Sequence, residues 1–66
     1  KNMKKAIKVI EKRVEILNIE YAKKDKLLEE NQTISEYEFL HSDLVNIELE
    51  LIELEEAVKI LNYYVQ

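Results

Sequence analysis

The chain has 66 residues and a net charge of −4, with 47% hydrophobic and 36% charged residues and no glycine, proline or cysteine. A chain this short forms one small domain with a small core, so its stability has to come from regular helix packing or from association. The absence of cysteine excludes disulfides and thiolate metal sites, and the absence of glycine excludes phosphate-binding and dinucleotide-binding loops. Abundant Leu, Ile, Glu and Lys are typical of coiled coils and long amphipathic helices.

The sequence gives no indication of membrane insertion or export. Charged residues interrupt every apolar run well before the roughly 20 residues that a membrane span needs. The opening residues 1–5 are mostly charged and lack the apolar stretch of a signal peptide. We therefore expect a soluble intracellular protein without a membrane partner.

The first half of the chain carries apolar residues at alternating intervals of four and three. This heptad spacing places one continuous stripe along a helix, called here the core stripe of that helix. Its apolar members are Met3, Ile7, Ile10, Val14, Leu17, Tyr21 and Leu28, and Lys24 is the single polar position. The pattern predicts a first helix over about residues 2–30.

A polar stretch over residues 29–35 interrupts the heptad phase and predicts a turn at about 31–35. Asn31 is expected to end the first helix, because asparagine tolerates the left-handed backbone conformation. Thr33 and Ser35 each have a glutamate three residues later, which is the spacing of a capping box. We choose Ser35 as the residue that caps the second helix.

The second half repeats the heptad spacing without a polar break and predicts a second helix over about residues 36–65. Its core stripe consists of Tyr37, Leu40, Leu44, Ile47, Leu51, Leu54, Val58, Leu61 and Val65. The chain is therefore predicted to be a single all-α unit over 1–66, an antiparallel two-helix hairpin that resembles a coiled coil. One nearly continuous helix with a stutter near residue 32, forming a longer intermolecular coiled coil, is the alternative.

A register in which paired residue numbers add up to 68 matches the two stripes layer by layer, from Leu28 opposite Leu40 out to Met3 opposite Val65. Ile34 is then the fold point. Beside the core, the same register brings like charges together. The two pairs are Glu20 with Glu50 and Glu11 with Glu55. Exposed pairs of this kind change stability too little to overturn the apolar layers.

The hairpin does not use all of its apolar residues. The surplus that we assign to a partner interface is Val9, Ile16 and Ile19 on the first helix and Val45, Leu49 and Ile52 on the second, with Phe39, Ile60, Tyr63 and Tyr64 also off the core stripes. Soluble monomers rarely expose so large an apolar patch. We expect a homo-oligomer, most simply a dimer that forms a four-helix bundle. Another helical protein is the alternative partner.

Glu38 and His41 have the Glu-x-x-His spacing found in carboxylate-bridged two-metal bundles. A dimer would supply the pair twice, and Glu30 would lie opposite Glu38. An acid in the first turn of a helix is also expected from the helix dipole alone. We therefore expect neither metal nor cofactor, and a dimeric metal-binding bundle remains the remote alternative.

Charge is distributed unevenly along the chain. A lysine stripe runs along the first helix at Lys1, Lys5, Lys8 and Lys12, whereas the second helix is strongly acidic. The net charge is negative and no aromatic residues interleave with the lysines, so we do not expect nucleic-acid binding. Ser35 and Ser42 lie near the single histidine without any motif that would activate them, and we do not expect an enzyme.

The sequence thus predicts a protein-interaction module that acts through helix–helix association, as a self-associating scaffold or a small regulatory protein. A small inhibitor or adaptor that binds a different protein through its second apolar face is the alternative function.

Overall fold

The computed structural model describes residues 3–65, and side chains up to residue 64. Helix α1 runs over Met3–Leu27 and helix α2 over Ile34–Val65, and the two pack against each other as a hairpin. Ion pairs join Arg13 to Glu50 and Lys24 to Asp43. Later residues of α1 therefore meet earlier residues of α2, so the helices are antiparallel. The all-helical hairpin is confirmed, and the alternative of one nearly continuous helix is wrong.

The core lies between the two predicted stripes. Its buried side chains are Ile7, Leu17, Leu44 and Ile47, and Leu17 is only 1% exposed. The other members of the stripes are half-buried: Met3, Ile10, Val14, Tyr21, Lys24, Leu28, Leu40, Leu51, Leu54, Val58 and Leu61. The side chain of Val65, predicted to pair with Met3, lies outside the described residues, as does Asn2 at the predicted start of the first helix.

Tyr37 is the exception among the predicted core positions. Its side chain is 50% exposed, because α1 ends at Leu27 and no helical residue of α1 faces the first turn of α2. The ring instead stacks on His41, with 6.2 Å between the ring centroids. The predicted core stripe of α2 therefore begins in practice at Leu40.

Helix α1 ends three residues earlier than predicted. Its last turn tightens, because the N–H groups of Glu29 and Glu30 donate to carbonyls three residues back, at 3.1 Å each. The side-chain amide of Gln32 donates to the Leu27 carbonyl. The prediction that Asn31 ends the helix in a left-handed conformation is wrong, since no residue of the described chain has a positive φ. Carbonyl groups at the end of α1 instead accept hydrogen bonds from backbone N–H groups of the turn and from the side-chain amide of Gln32.

Helix α2 begins at Ile34, two residues earlier than predicted, and Thr33 caps it. The Thr33 hydroxyl accepts a bond from the Glu36 N–H at 3.1 Å, and the Glu36 carboxylate accepts one from the Thr33 N–H at 2.9 Å. This is a complete capping box, so the choice of Ser35 as the cap is wrong. Ile34, the expected fold point, is the first residue of α2 and is 81% exposed.

The hairpin is long and thin, with extents of 49 × 15 × 12 Å and a radius of gyration of 15.3 Å. A compact domain of this length would have a radius of gyration of about 11 Å. None of the helices described is both long and apolar enough to span a bilayer. Most of the molecular surface therefore belongs to the outer sides of the two helices.

Candidate interaction surfaces

A cluster of charges covers one broad side of the hairpin, called here the ion-pair side. Arg13 Nε lies 3.0 Å from Glu50 Oε2. Lys24 Nζ lies 2.8 Å from Asp43 Oδ2 and 3.2 Å from Glu20 Oε2. Each cation joins a carboxylate of α2, and Lys24 also joins one of its own helix.

These cations neutralise the two like charges that the register predicted to lie close together. Glu20 and Glu50 do line the same cleft, as predicted, but each is paired with a cation, Glu20 with Lys24 and Glu50 with Arg13. The hydrogen bond to Glu50 raises the pKa of Arg13. Hydrogen bonds to Asp43 and then to Glu20 raise the pKa of Lys24. The single polar position of the α1 core stripe therefore stays charged and has hydrogen-bond partners.

The opposite broad side of the hairpin is called here the acidic side. Glu11 and Glu55 line one cleft of about 310 Å³ with Val14 and Val58, and here the predicted like-charge pair has no cation in the lining. The carboxylate of Glu48, on the same side, raises the pKa of Tyr21 by disfavouring the phenolate. This side therefore concentrates negative charge along the groove between the helices.

Three predicted interface residues of α1 form a patch that leans toward the ion-pair side. Val9 lies four residues before Arg13, and Ile16 lies three residues after it. Val9 and Ile16 therefore share one stripe of the helix with Arg13. Ile19 lies three residues beyond Ile16 and extends the patch outward. All three apolar side chains are exposed, with Val9 70% exposed. We call Val9, Ile16 and Ile19 the α1 patch.

Three predicted interface residues of α2 form a compact triangle that leans toward the acidic side. Val45 lies three residues before Glu48, and Ile52 lies four after it. Leu49 lies between them and is 56% exposed. This triangle and the α1 patch are both exposed, but the structure does not bring them together, because they lie on different helices and opposite sides of the hairpin. A single flat partner cannot cover both.

A longer apolar stripe runs along the outside of α2 and joins five residues that were predicted to lie off the core stripe to Ile34. Its positions are Ile34, Glu38, Ser42, Val45, Leu49, Ile52, Glu56, Ile60 and Tyr63. Every apolar or aromatic member is exposed. Leu49 lies two residues from both Ile47 and Leu51, a rotation of about 200°, so this outer stripe faces away from the core. Its mean spacing is close to 3.6 residues, and reading α2 at that period would have added Ile34 to the predicted members.

Glu38 and His41 lie beside the turn, where the spacing suggested a remote metal site. They line an open cleft of about 420 Å³ together with Tyr37, Ser42, Val45 and Asn46. Among the residues that the structure describes, no group of three or more His, Cys, Asp or Glu side chains is placed to hold a metal ion. The chain therefore offers one carboxylate and one imidazole here.

Comparison of the chain with protein-family models, with curated proteins and with solved structures finds no match. The class of protein is therefore defined by its geometry, a two-helix hairpin with exposed apolar surface on opposite sides.

Proposed function

We propose that this hairpin is a helix–helix interaction module that associates with a second copy of itself. The observation that carries the proposal is that few of the large apolar side chains are buried and many are exposed. Within the described residues, four large hydrophobic side chains are buried, whereas the exposed ones include the whole α1 patch and the apolar members of the α2 outer stripe. Burial of apolar surface is the main driving force for association, and a hairpin with this much of it exposed gains stability from a partner.

The total surface supports the same proposal. The chain exposes 5602 Å², whereas a compact monomer of 7.9 kDa exposes about 4400 Å². The excess, on the order of 1000 Å² per copy, is comparable to the roughly 800 Å² that each partner contributes to a standard interface. Association with one further copy would therefore bring the surface of the hairpin closer to that of a compact monomer.

Sedimentation equilibrium combined with thermal unfolding at several concentrations tests the proposal. We expect a dimer whose unfolding midpoint rises with protein concentration, because mass action favours the associated folded state. The variant Asn18→Gln, an uncharged change at an exposed polar position of α1, serves as the matched control and should associate like the natural chain. A monomer at every concentration, with a constant midpoint, would contradict self-association.

A second candidate function is binding of a different helical protein through the α1 patch. The separation of the two apolar surfaces favours it, since a second copy seated on the outer side of α2 leaves Val9, Ile16 and Ile19 exposed. In this arrangement the hairpin acts as a dimeric adaptor or inhibitor.

Photo-crosslinking in the cells that express the chain separates the two functions. A photoreactive side chain at Ile16 should give an adduct with a different protein, whereas the same group at Leu49 should give a dimer of the hairpin. If both positions gave only hairpin dimers, the adaptor function would be refuted and self-association would stand.

A further inference from the structure

We infer that the outer stripe of α2 pairs with the same stripe of a second copy, with the two α2 helices antiparallel and Leu49 at the twofold axis. The inference rests on the proposed self-association and specifies its interface. In the resulting dimer the two α2 helices are central and the two α1 helices are peripheral.

Helix α2 is apolar on two opposite sides, and α1 covers only one of them. Leu44 and Ile47 face α1 and are buried, whereas Leu49 and Ile52 face away from it and are exposed. A helix that is apolar on opposite sides is typical of a position inside an assembly, with neighbours on both sides. The uncovered side of α2 therefore calls for a second helix.

The outer stripe is complementary to itself when it is reversed. In an antiparallel pair centred on Leu49, Val45 lies beside Ile52 of the second copy and Ile34 lies beside its Tyr63. The polar positions Ser42 and Glu56 also coincide, so that a hydroxyl donor faces a carboxylate. A twofold interface requires this reciprocity, because each contact occurs twice. Glu38 beside Ile60 is the one mismatch, and both lie toward the ends of the contact.

The area of the contact favours the register in which the two stripes overlap fully. The stripe spans residues 34–63, which is about 44 Å of helix, and a helix with its side chains is about 10–12 Å wide. Full overlap therefore covers roughly 500 Å² of projected surface on each copy, or roughly 1000 Å² in total, which is about the minimum for a specific interface. A shifted register loses length at both ends and falls below that minimum.

Pairing of α1 with α2 of the second copy would bring opposite charges together, but it does not close. The α1 patch and the α2 outer stripe belong to one rigid hairpin and face opposite directions. A contact that joins them leaves one patch and one stripe free on the pair, so that further copies add without limit. A closed dimer forms only when the same surface of the two copies meets, as when the α2 outer stripe of one copy packs on the α2 outer stripe of the other.

Single cysteines in this cysteine-free chain test the pairing with a short thiol crosslinker. Leu49→Cys should crosslink efficiently, because both copies of residue 49 lie at the twofold axis. Ile34→Cys and Tyr63→Cys should each fail alone and crosslink when they are mixed, since the two positions meet only in an antiparallel pair. Ile16→Cys, on the α1 patch, is the matched control and should not crosslink.

Two results would overturn the inference while self-association survives. One is crosslinking of Ile16→Cys without that of Leu49→Cys, and the other is crosslinking of Ile34→Cys alone, which indicates a parallel pair.

A sedimentation measurement on Leu49→Glu gives an independent check. This variant should be a helical monomer, whereas Ile16→Glu should remain a dimer. If the unmodified chain is itself monomeric, the proposed function fails together with the inference.

Discussion

Thr33 and Glu36 satisfy each other's hydrogen-bonding groups at the start of α2. Replacing a capping threonine by alanine leaves a backbone N–H of the first turn without its partner. We expect Thr33→Ala to lower the free energy of unfolding by about 1 kcal/mol. Urea denaturation at a fixed protein concentration measures this loss. Ser35→Ala, which affects no capping bond, should leave the unfolding midpoint nearly unchanged, and equal losses for the two variants would refute the assignment of the cap.

The same capping box makes part of the stability depend on pH. The backbone N–H of Thr33, followed by its side chain, lowers the pKa of Glu36 below the ordinary value of 4.5. A carboxylate whose pKa is lower in the folded state stabilises the fold above that ordinary value, and the contribution is lost as the pH falls through the lowered pKa.

The matched variant for this effect is Glu36→Gln, which cannot ionise. We expect the difference in unfolding free energy between the natural chain and this variant to be largest near neutral pH and to shrink as the pH falls to about 3. Urea titrations at each pH measure the difference. A difference that stays constant across this range would show that the charge of Glu36 does not act at the cap.

At the scale of the helices, Leu17 anchors the packing of α1 on α2. Its side chain is 1% exposed, whereas that of Ile19, two residues later, is 51% exposed. We expect Leu17→Ala to cost about 2–5 kcal/mol, because it removes buried methyl groups and leaves a cavity. Domains are stabilised by only about 0.05–0.15 kcal/mol per residue, so this variant should lose a large part of its stability and unfold at a much lower urea concentration.

Ile19→Ala is the control for that experiment, since the change has similar chemistry on an exposed side chain. Circular dichroism during urea denaturation should show an unfolding midpoint close to that of the natural chain. Similar losses for Leu17→Ala and Ile19→Ala would contradict the assignment of the core to the heptad stripe.

The heptad spacing was enough to predict two helices, their antiparallel packing and nearly all of the core. The heptad spacing predicts the core because the burial of a side chain follows from its position around the helix. Tyr37 has a core position but is exposed, because α1 ends before it could cover that ring. The caps could not be chosen from the sequence, since Thr33 and Ser35 have the same spacing to a glutamate. The choice depends on which hydrogen bonds close in three dimensions.

The surfaces were harder to predict than the core. The register, in which paired residue numbers add up to 68, placed Glu20 near Glu50. The hydrogen bond from the long Arg13 side chain to Glu50 depends on side-chain rotamers, which the register does not describe. The sequence predicted that the exposed apolar residues Val45, Leu49, Ile52, Ile60 and Tyr63 lie off the core stripe, but it did not join them to Ile34. Ile34 was assigned to the turn, because the polar residues around it conceal the start of α2.

At the scale of the whole molecule, the inferred dimer brings two acidic helices together. Helix α2 contains eight glutamate and aspartate residues against Lys59 and His41, so pairing of α2 with α2 brings like charges close. Added salt screens that repulsion, as the Debye length falls from about 10 Å at 0.1 M to about 3 Å at 1 M. We expect the dimer to tighten by a factor of a few between about 0.1 and 0.5 M salt.

Sedimentation equilibrium across this range of salt measures the change. Pairing of basic α1 with acidic α2 would have the opposite sign, since salt would then screen an attraction. Weakening of the dimer with added salt would therefore contradict the α2 pairing, and the direction of the change alone separates the two arrangements.

The placement of the two apolar surfaces on opposite sides of the hairpin also determines whether assembly stops. A protomer with apolar surfaces on two opposite sides can bind a further copy on each side. Such protomers polymerise into fibres unless one of the two surfaces is blocked. The outer surface of α1 carries Lys5, Lys8 and Lys12 along the same helix as the patch. Two α1 surfaces that approach each other bring these positive charges together, as charged gatekeeper residues do at exposed strand edges. We therefore expect the lysines to limit growth of the inferred assembly to the dimer and to leave the α1 patch available to a partner of opposite charge.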